Sequence, residues 1–443
     1  MEKQRKVLIL AHDFPPYVSV GGLRPYSWMK YFSEFDIHPI VVTRNWNDFH
    51  ENENSFLEAS ANQTVEQQHE PNYTLIKAPF QPSFAQRLLL KKGAAKCRFL
   101  RRIYTLVLEI MQFFLPVGSK RSIYLAATDY LKSNKIDLII ATGEPFVLFH
   151  YAKKLSETYT IPWIADYRDL WSQDISIQKT PLLPKLYRVI EKKIVKHAVA
   201  ITTVSDFLVE QLKEVNGQHN YFICANGYDE IEFNENQTVT KQHLVIGFNG
   251  TVFPWYPIAS LLKTLDDLWN KHQVAFELNL IGIPQQSVLK ELIASDFPSI
   301  SQFVTFTPPL DNRTFQVEMS KNHLLVLFNS FALMGTKIYD YLAMNRKILL
   351  LYSDDEEGNK LKHKYYPLSD SEVYSNSLQA DLLAKTTAGI SVKNAAELLQ
   401  LLIDLNNELT TTGTIKHETT DIAAYSRKYQ AERLAQFIKS QFQ

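Results

Sequence analysis

Short apolar runs alternate with stretches whose apolar residues return every three or four positions, almost throughout the chain. Runs of the first kind suit strands buried on both faces of a parallel sheet. The second pattern suits helices with one covered face, so the alternation predicts an α/β architecture. In the first half the predicted strands are Val7–Leu10, Pro39–Val42, Leu75–Ile76, Leu138–Ala141, Trp163–Ala165, Ile201–Val204 and Phe222–Ala225. Helical spacing lies between them over Pro25–Phe35, Ile123–Lys132 and Lys185–Lys196. A second series of strands runs Leu244–Phe248, Phe276–Ile281, Val304–Phe306, Leu324–Phe328, Lys347–Leu351 and Gly389–Val392.

Between the two series, Asp229–Gln242 is polar and lacks either period, as an interdomain linker does. After the Thr-rich break Thr410–Thr414, helical spacing returns over Ala423–Phe442 without Gly or Pro. The expected organisation is a Rossmann-like domain over 1–230, a second over 243–418, and a closing helix over 421–443 that returns to the first. Ligands of open α/β sheets bind beyond the carboxyl ends of the strands, so two such sheets facing across a cleft would line its opposite walls.

The length of 443 residues itself calls for two domains of roughly 200 residues. With 45% hydrophobic and 21% charged residues the composition is that of a globular protein, and a formal net charge of zero argues against nucleic acid as a partner. Only Cys97 and Cys224 are present, far apart, which fits a reducing compartment. The apolar run Val7–Leu10 is too short for a signal peptide, and no stretch reaches the length of a membrane span, so the expected location is cytoplasmic.

Candidate chemistry gathers where strands end. Gly335-Thr336-Lys337-Ile338-Tyr339-Asp340 opens a predicted helix just after the strand Leu324–Phe328. Free N–H groups and partial positive charge at a helix start suit phosphate. Lys337 would add a full charge and Asp340 would accept from ribose hydroxyls; an ordinary capped helix is the alternative. Gly21-Gly22, before another helix, would let a ligand approach backbone N–H groups, or would simply make a tight turn. His12 is either a ligand contact or a hydrogen-bonding core residue. Asp166-Tyr167-Arg168-Asp169 follows a strand, and its carboxylates either clamp the arginine or face a polyhydroxyl substrate. Glu144 sits past another strand, in reach of an acceptor. Asn249-Gly250 ends the first strand of the second half. The chain has no G-x-G-x-x-G, P-loop, His-Glu-x-x-His, Cys-x-x-Cys, Asp-x-Asp or Gly-x-Ser-x-Gly, so neither a local metal site nor a serine elbow is expected, and no cofactor is called for.

Taken in order, these residues resemble the retaining glycosyltransferases of family 4, which have the GT-B fold. The resemblance rests on Phe14-Pro15-Pro16 with Gly21-Gly22, on Asp166–Trp171, and on Glu191 followed by Ala200–Ser205. It continues through Asn226-Gly227-Tyr228-Asp229, Gly247–Gly250, the donor-site helix pattern Thr336-Lys337-x-x-Asp340-Tyr341-Leu342-Ala343, and Tyr425-Ser426-Arg427. It implies transfer of a sugar, with retention and without an essential metal, from a nucleotide-diphosphate sugar such as a UDP-sugar to a glycan or lipid-linked acceptor. Donor contacts would come from Gly21, Gly22, Asn249, Gly250, Gly335, Thr336, Lys337 and Asp340. Asp166, Arg168, Glu144 and His12 would serve acceptor and catalysis.

Two positions depart from the family. The residue eight before Asp340 is Ala332 where a glutamate is common, and Val252–Tyr256 lacks the usual basic pair, leaving Lys263 as the nearest cation. These departures also admit a catalytically weakened GT-B protein that acts as a binding or scaffolding subunit. Finally, residues 87–121 carry Arg87, Lys91, Lys92, Lys96, Arg98, Arg101, Arg102, Lys120 and Arg121 against the single acid Glu109, with apolar residues interleaved. Such a segment either lies on an anionic membrane surface, at the inner face of the plasma membrane, or packs on the first domain with a solvated basic face.

Overall fold

A computed structural model describes residues 4–17, 19–47, 55–174, 182–229, 239–331, 333–356, 360 and 377–441. The chain divides into two compact units, Met1–Asn226 with Arg427–Gln443, and Gly227–Ser426. Residues 230–238 of the predicted linker, and Ala332, lie outside the described residues.

The first unit is built on β1 (Arg5–Leu10), β2 (Ile37–Arg44), β3 (Glu66–His69), β4 (Thr74–Ala78), β5 (Leu138–Gly143), β6 (Trp163–Tyr167), β7 (Ala200–Thr203) and β8 (Tyr221–Ile223). Its helices are α1 (Val20–Tyr31), α2 (Phe84–Lys92), α3 (Arg98–Met111), α4 (Arg121–Leu131), α5 (Val147–Tyr159), α6 (Leu183–Val195) and α7 (Asp206–Asn216). The strand order is β3-β4-β2-β1-β5-β6-β7-β8, parallel except for the β3–β4 edge pair. β3, Glu-Gln-Gln-His, has no apolar pattern, and sequence reading passes it over; edge pairing alone makes it a strand.

Successive residues of β1 go to opposite faces, as strand geometry requires. Leu8 and Leu10 join a core with Ile139, Ala141 and Ile201, while Val7 and Ile9 join another with Leu138, Ile140 and Ile164. That second core also contains Ala431, Leu434, Ala435 and Ile438 of the closing helix Arg427–Gln441. Each buried valine, leucine or isoleucine of these cores contributes about 1.5–3 kcal/mol.

The second unit has β9 (Leu244–Asn249), α8 (Ile258–His272), β10 (Phe276–Ile281), α9 (Gln286–Asp296), β11 (Val304–Thr307), α10 (Asn312–Ser320) and β12 (Leu324–Phe328). It continues with α11 (Lys337–Ala343), β13 (Lys347–Leu351), α12 (Leu378–Thr386), β14 (Gly389–Val392) and α13 (Ala395–Thr412). Its six strands are ordered β11-β10-β9-β12-β13-β14 and the pairings are parallel. The helix α13 is capped by Asn394, which accepts from the N–H groups of Ala396 and Glu397, and ends at Gly413 with φ +76°.

In each sheet the chain winds one way from a central strand and then reverses. The reversal lies between β1 and β5 in the first sheet and between β9 and β12 in the second. Diverging connections open a crevice at the carboxyl ends of such neighbours, where ligands of α/β sheets bind.

Candidate functional site

At the β1/β5 reversal, the turn after β1 is tied around Asp13. One carboxylate oxygen lies 2.8 Å from His12 Nδ1 and the other accepts from the Ser19 hydroxyl at 2.8 Å. Burial works against the Asp13 charge, but His12, Ser19 and the nearby Arg168 guanidinium outweigh it and hold its pKa below the ordinary value. Burial lowers the His12 pKa despite Asp13, which favours a neutral imidazole. A carboxylate can only accept, so Nδ1 carries the proton and Nε2 keeps its lone pair. That Nε2 is buried and has no hydrogen-bond partner among the described residues. The His12 carbonyl is held by Thr43 and by the Trp46 indole, 2.9 Å away, and the Trp46 ring stacks on Tyr17 at 4.0 Å.

Gly21 and Gly22 do not form a turn before the helix. Ser19 caps α1, so both glycines occupy its first turn, and their N–H groups donate to Ser19 Oγ and Ser19 O. Their lack of a side chain serves close approach instead. A Cβ on Gly21 would sit 1.8 Å from Arg168 Nη1, and one on Gly22 would sit 3.2 Å from the backbone of Asp13 and Phe14. Arg168 reaches over α1 while its Nε and Nη2 donate to the carbonyls of Gly143 and Glu144 at 2.6 and 2.9 Å. The Glu144 side chain is exposed. Partial desolvation and then Asp169 and Asp174 raise its pKa above the ordinary glutamate value.

Asp166 and Arg168 were expected to clamp each other or to face a substrate together. They do neither: Arg168 lies just past the end of β6, and the two side chains bind different partners. Asp166 is 0% exposed and accepts from Arg24 Nη2 at 2.7 Å, from Arg24 Nε, and from Thr202 Oγ1 at 2.7 Å. Arg24 also donates to the Cys224 carbonyl at 2.6 Å. This buried network ties α1, β6, β7 and the end of β8 together. Glu191, also fully buried, accepts from Tyr167 Oη, Ser172 N and Asn216 Nδ2. Neither carboxylate presents surface to a ligand.

At the β9/β12 reversal, Lys337 is the central group. Its ammonium lies 3.3 Å from the Thr251 carbonyl, 4.6 Å from the centre of the Phe248 ring and 5.8 Å from that of Tyr256. No carboxylate lies within ion-pair distance of it among the described residues, and burial lowers its pKa to about 8. Gly250, at φ +76°, leaves room for it: a Cβ there would stand 3.2 Å from Lys337 Cε. Asn249 turns its Oδ1 to the Tyr341 hydroxyl at 2.8 Å. Gly335 is exposed at φ +66°, and Thr336 precedes α11 without a side-chain cap bond. Asp340 is half-buried in the first turn of α11.

The loop between β12 and α11 is held by residues that sequence reading missed. Asn329 donates to the Tyr352 carbonyl at 3.1 Å and accepts from Phe331 N–H at 2.8 Å. Gln379, buried in α12, accepts from Ser330 N–H at 2.7 Å and donates to the Met334 carbonyl at 3.0 Å. Between them Phe331 is locked at φ +51°, a left-handed conformation that costs a bulky residue about 1–3 kcal/mol. Gln379 lies more than forty residues from Ser330 in sequence, so no local pattern announces it. The substitute cation considered for this site, Lys263, is on exposed α8 surface and faces Asp267 at 3.8 Å.

Lys337 is thus a cation with no acidic counterpart among the described residues, at the start of α11 behind a tied loop and beside a crevice, suited to an anionic group such as phosphate. Among the described residues, no cluster of three His, Cys, Asp or Glu side chains is arranged to hold a metal ion, and no helix is long and apolar enough to cross a membrane.

No protein-family model matches the chain, and no curated protein matches it in sequence. Solved structures do match it in fold. The sucrose-phosphate synthase of Thermosynechococcus elongatus is 13% identical, with 99% of each chain covered and a TM-score of 0.58. A trehalose-6-phosphate structure from E. coli, bound with UDP-2-fluoro glucose, is 9% identical over 98% of this chain and 99% of that one, with a TM-score of 0.58. Anabaena HepE, in complex with UDP and glucose, is 12% identical over 98% and 100%, with a TM-score of 0.54. The likeness runs through both domains, and the chain has the GT-B fold.

Proposed function

We propose that this protein is a glycosyltransferase that takes a sugar from a nucleotide-diphosphate sugar, with a UDP-sugar as the first candidate, and moves it to a glycan or lipid-linked acceptor in surface polysaccharide or glycoconjugate synthesis. The observation that carries this reading is Lys337, a half-buried ammonium at the β9/β12 crevice with no carboxylate partner among the described residues. Two chains of similar fold are bound with UDP or a UDP-sugar, which supports the choice of donor.

In this reading Lys337 meets the diphosphate and offsets the charge that develops as it departs, an electrostatic contribution that needs no metal. Asp340 accepts from the ribose hydroxyls, and Asn249, Gly250, Gly335 and Thr336 shape the surrounding wall. On the first domain Arg168 and the helix start at Gly21 and Gly22 bound the acceptor side. His12 Nε2 offers a lone pair, Glu144 offers a carboxyl with a raised pKa, and Asp166 positions α1 from below. Transfer proceeds with retention of anomeric configuration.

Thermal shift with UDP, GDP and CDP tests the donor site, because a ligand at a hundredfold excess over its Kd adds about 2.7 kcal/mol. Stabilisation by one nucleotide, abolished in Lys337→Ala, is the expected result; no response to any of them overturns the reading. A second reading, a GT-B protein that binds but does not transfer, is favoured by the lack of any cation in Val252–Tyr256 to assist Lys337. It predicts nucleotide binding without transfer of radiolabelled sugar to isolated membranes.

A further inference from the structure

The helix α3 is inside out. On an ordinary surface helix the apolar stripe faces the core and the charges face water. Here no residue of α3 is buried, and Phe99, Leu100, Ile103, Leu106, Val107 and Met111 are all exposed, Phe99 at 77%. Phe114 and Leu115, just beyond its end, are exposed too. The polar residues Arg98, Arg101, Arg102, Thr105 and Glu109 return at helical spacing on the other side. They line a groove of about 990 Å³ whose far wall includes the buried Tyr187 of α6. Two short helices, α2 and α3, are joined by a turn at Gly93–Cys97, with Phe84 against Tyr104 at 5.2 Å.

The charge in the groove is unbalanced. Arg101 donates to the Ala94 carbonyl and leaves its buried Nε without a partner. Glu109, the only acid of 87–121, is engaged by Gln112 Nε2 at 2.6 Å. Among the described residues no carboxylate lies within ion-pair distance of Arg98, Arg101 or Arg102. A large apolar face exposed beside several uncompensated arginines is unfavourable in water alone. A bilayer with anionic lipids answers both: acyl chains cover the apolar face, and headgroup phosphates neutralise the guanidinium groups, which bind phosphate in bidentate fashion.

We propose that the α2–α3 hairpin is a membrane-docking element, with the outer face of α3 in the acyl boundary of an anionic bilayer. The Arg98–Arg101–Arg102 groove then holds the phosphate of one anionic lipid. This deepens the reading of a lipid-linked acceptor and rests on that reading only for the reason a membrane would be visited.

The test is flotation of the full chain with vesicles of phosphatidylcholine alone and of phosphatidylcholine mixed with phosphatidylglycerol. Binding to the mixed vesicles, weakened by salt and absent with the neutral ones, is expected. The variant Arg98→Gln/Arg101→Gln/Arg102→Gln should bind the mixed vesicles on the order of a hundredfold more weakly, since one basic residue near an anionic surface is worth about fivefold. Phe99→Ser/Ile103→Ser/Val107→Ser should lose binding altogether. Because α3 buries none of these side chains, both variants should keep the wild-type far-UV circular dichroism and thermal midpoint.

Several outcomes overturn the proposal. Wild type that ignores the mixed vesicles refutes docking, and equal binding of both vesicle types, unchanged by the arginine substitutions, refutes the headgroup groove. A dimer in light scattering that separates in the Phe99 variant assigns the apolar face to a second copy. Inorganic phosphate that raises the thermal midpoint of wild type but not of the arginine variant, without vesicle binding, makes the groove a free-anion site. Nucleotide thermal shift on the same samples is read separately: its absence sinks the transferase reading and leaves the vesicle result standing.

Discussion

The Arg168 guanidinium occupies the space that a side chain on Gly21 would take: a Cβ built there lies 1.8 Å from Arg168 Nη1. A residue on α1 and one after β6, nearly 150 positions apart, are therefore a single steric unit.

Gly21→Ala forces Arg168 to leave the Gly143 and Glu144 carbonyls, each a charge-assisted bond of about 1.5–3 kcal/mol at most, and less at a half-exposed site. Alanine favours the helix by about 0.5–1 kcal/mol, so net stability should change little. Transfer activity should fall tenfold or more, and the effect of Gly21→Ala should vanish in an Arg168→Ala background. That non-additivity, read as kcat/KM in a double-mutant cycle, checks the contact. Independent effects would mean that Arg168 does not act through this position.

Asp166→Asn leaves Arg24 buried without a countercharge. Breaking a buried pair from one side costs about 3–5 kcal/mol, so the thermal midpoint should drop by roughly 10 °C. Arg24→Met combined with Asp166→Leu should recover much of that loss. Differential scanning calorimetry reads both; full stability with lost activity would instead return Asp166 to the reacting groups.

The low pKa of Lys337 sets two opposite pH trends. Burial makes the folded state hold the proton less tightly than the unfolded chain, so the contribution of Lys337 to stability rises with pH between about 8 and the ordinary 10.5. A diphosphate prefers the protonated form, so nucleotide affinity should fall as pH rises through about 8, with proton uptake on binding. Calorimetric titration in buffers of differing ionisation enthalpy should detect that uptake in wild type and not in Lys337→Met. Affinity flat across this range would exclude Lys337 from the phosphate site.

Gln379→Ala removes its own two ties to the β12–α11 loop, to Ser330 and to Met334, and leaves those of Asn329. The expected loss is about 1–3 kcal/mol of stability, together with weaker nucleotide binding as Phe331 leaves its strained conformation. Hydrogen exchange at 329–331 and 333–336 should rise in the variant; unchanged exchange with unchanged nucleotide affinity would show the loop to be held by other means.

Much of the architecture was legible because parallel strands buried on both faces must be apolar throughout. The runs at Val7–Leu10, Leu138–Ala141 and Lys347–Leu351 announce β1, β5 and β13. β3 was not legible, because an edge strand exposed on one side needs no apolar residue. The start of α1 was misplaced because both readings of Gly21-Gly22 set the pair before the helix, when Ser19, two residues before Gly21, supplies the cap.

By itself the sequence determined the α/β series, its two halves and the strand ends where chemistry gathers, because each follows from local periodicity and burial. Tertiary structure alone decided which groups meet. It paired Asp166 with Arg24 rather than Arg168, laid Arg168 over Gly21, set Lys337 apart from every carboxylate among the described residues, and turned the apolar face of α3 outward. Those outcomes depend on how strands order in a sheet and how helices rotate upon it, contacts between residues too far apart for any pattern along the chain to encode.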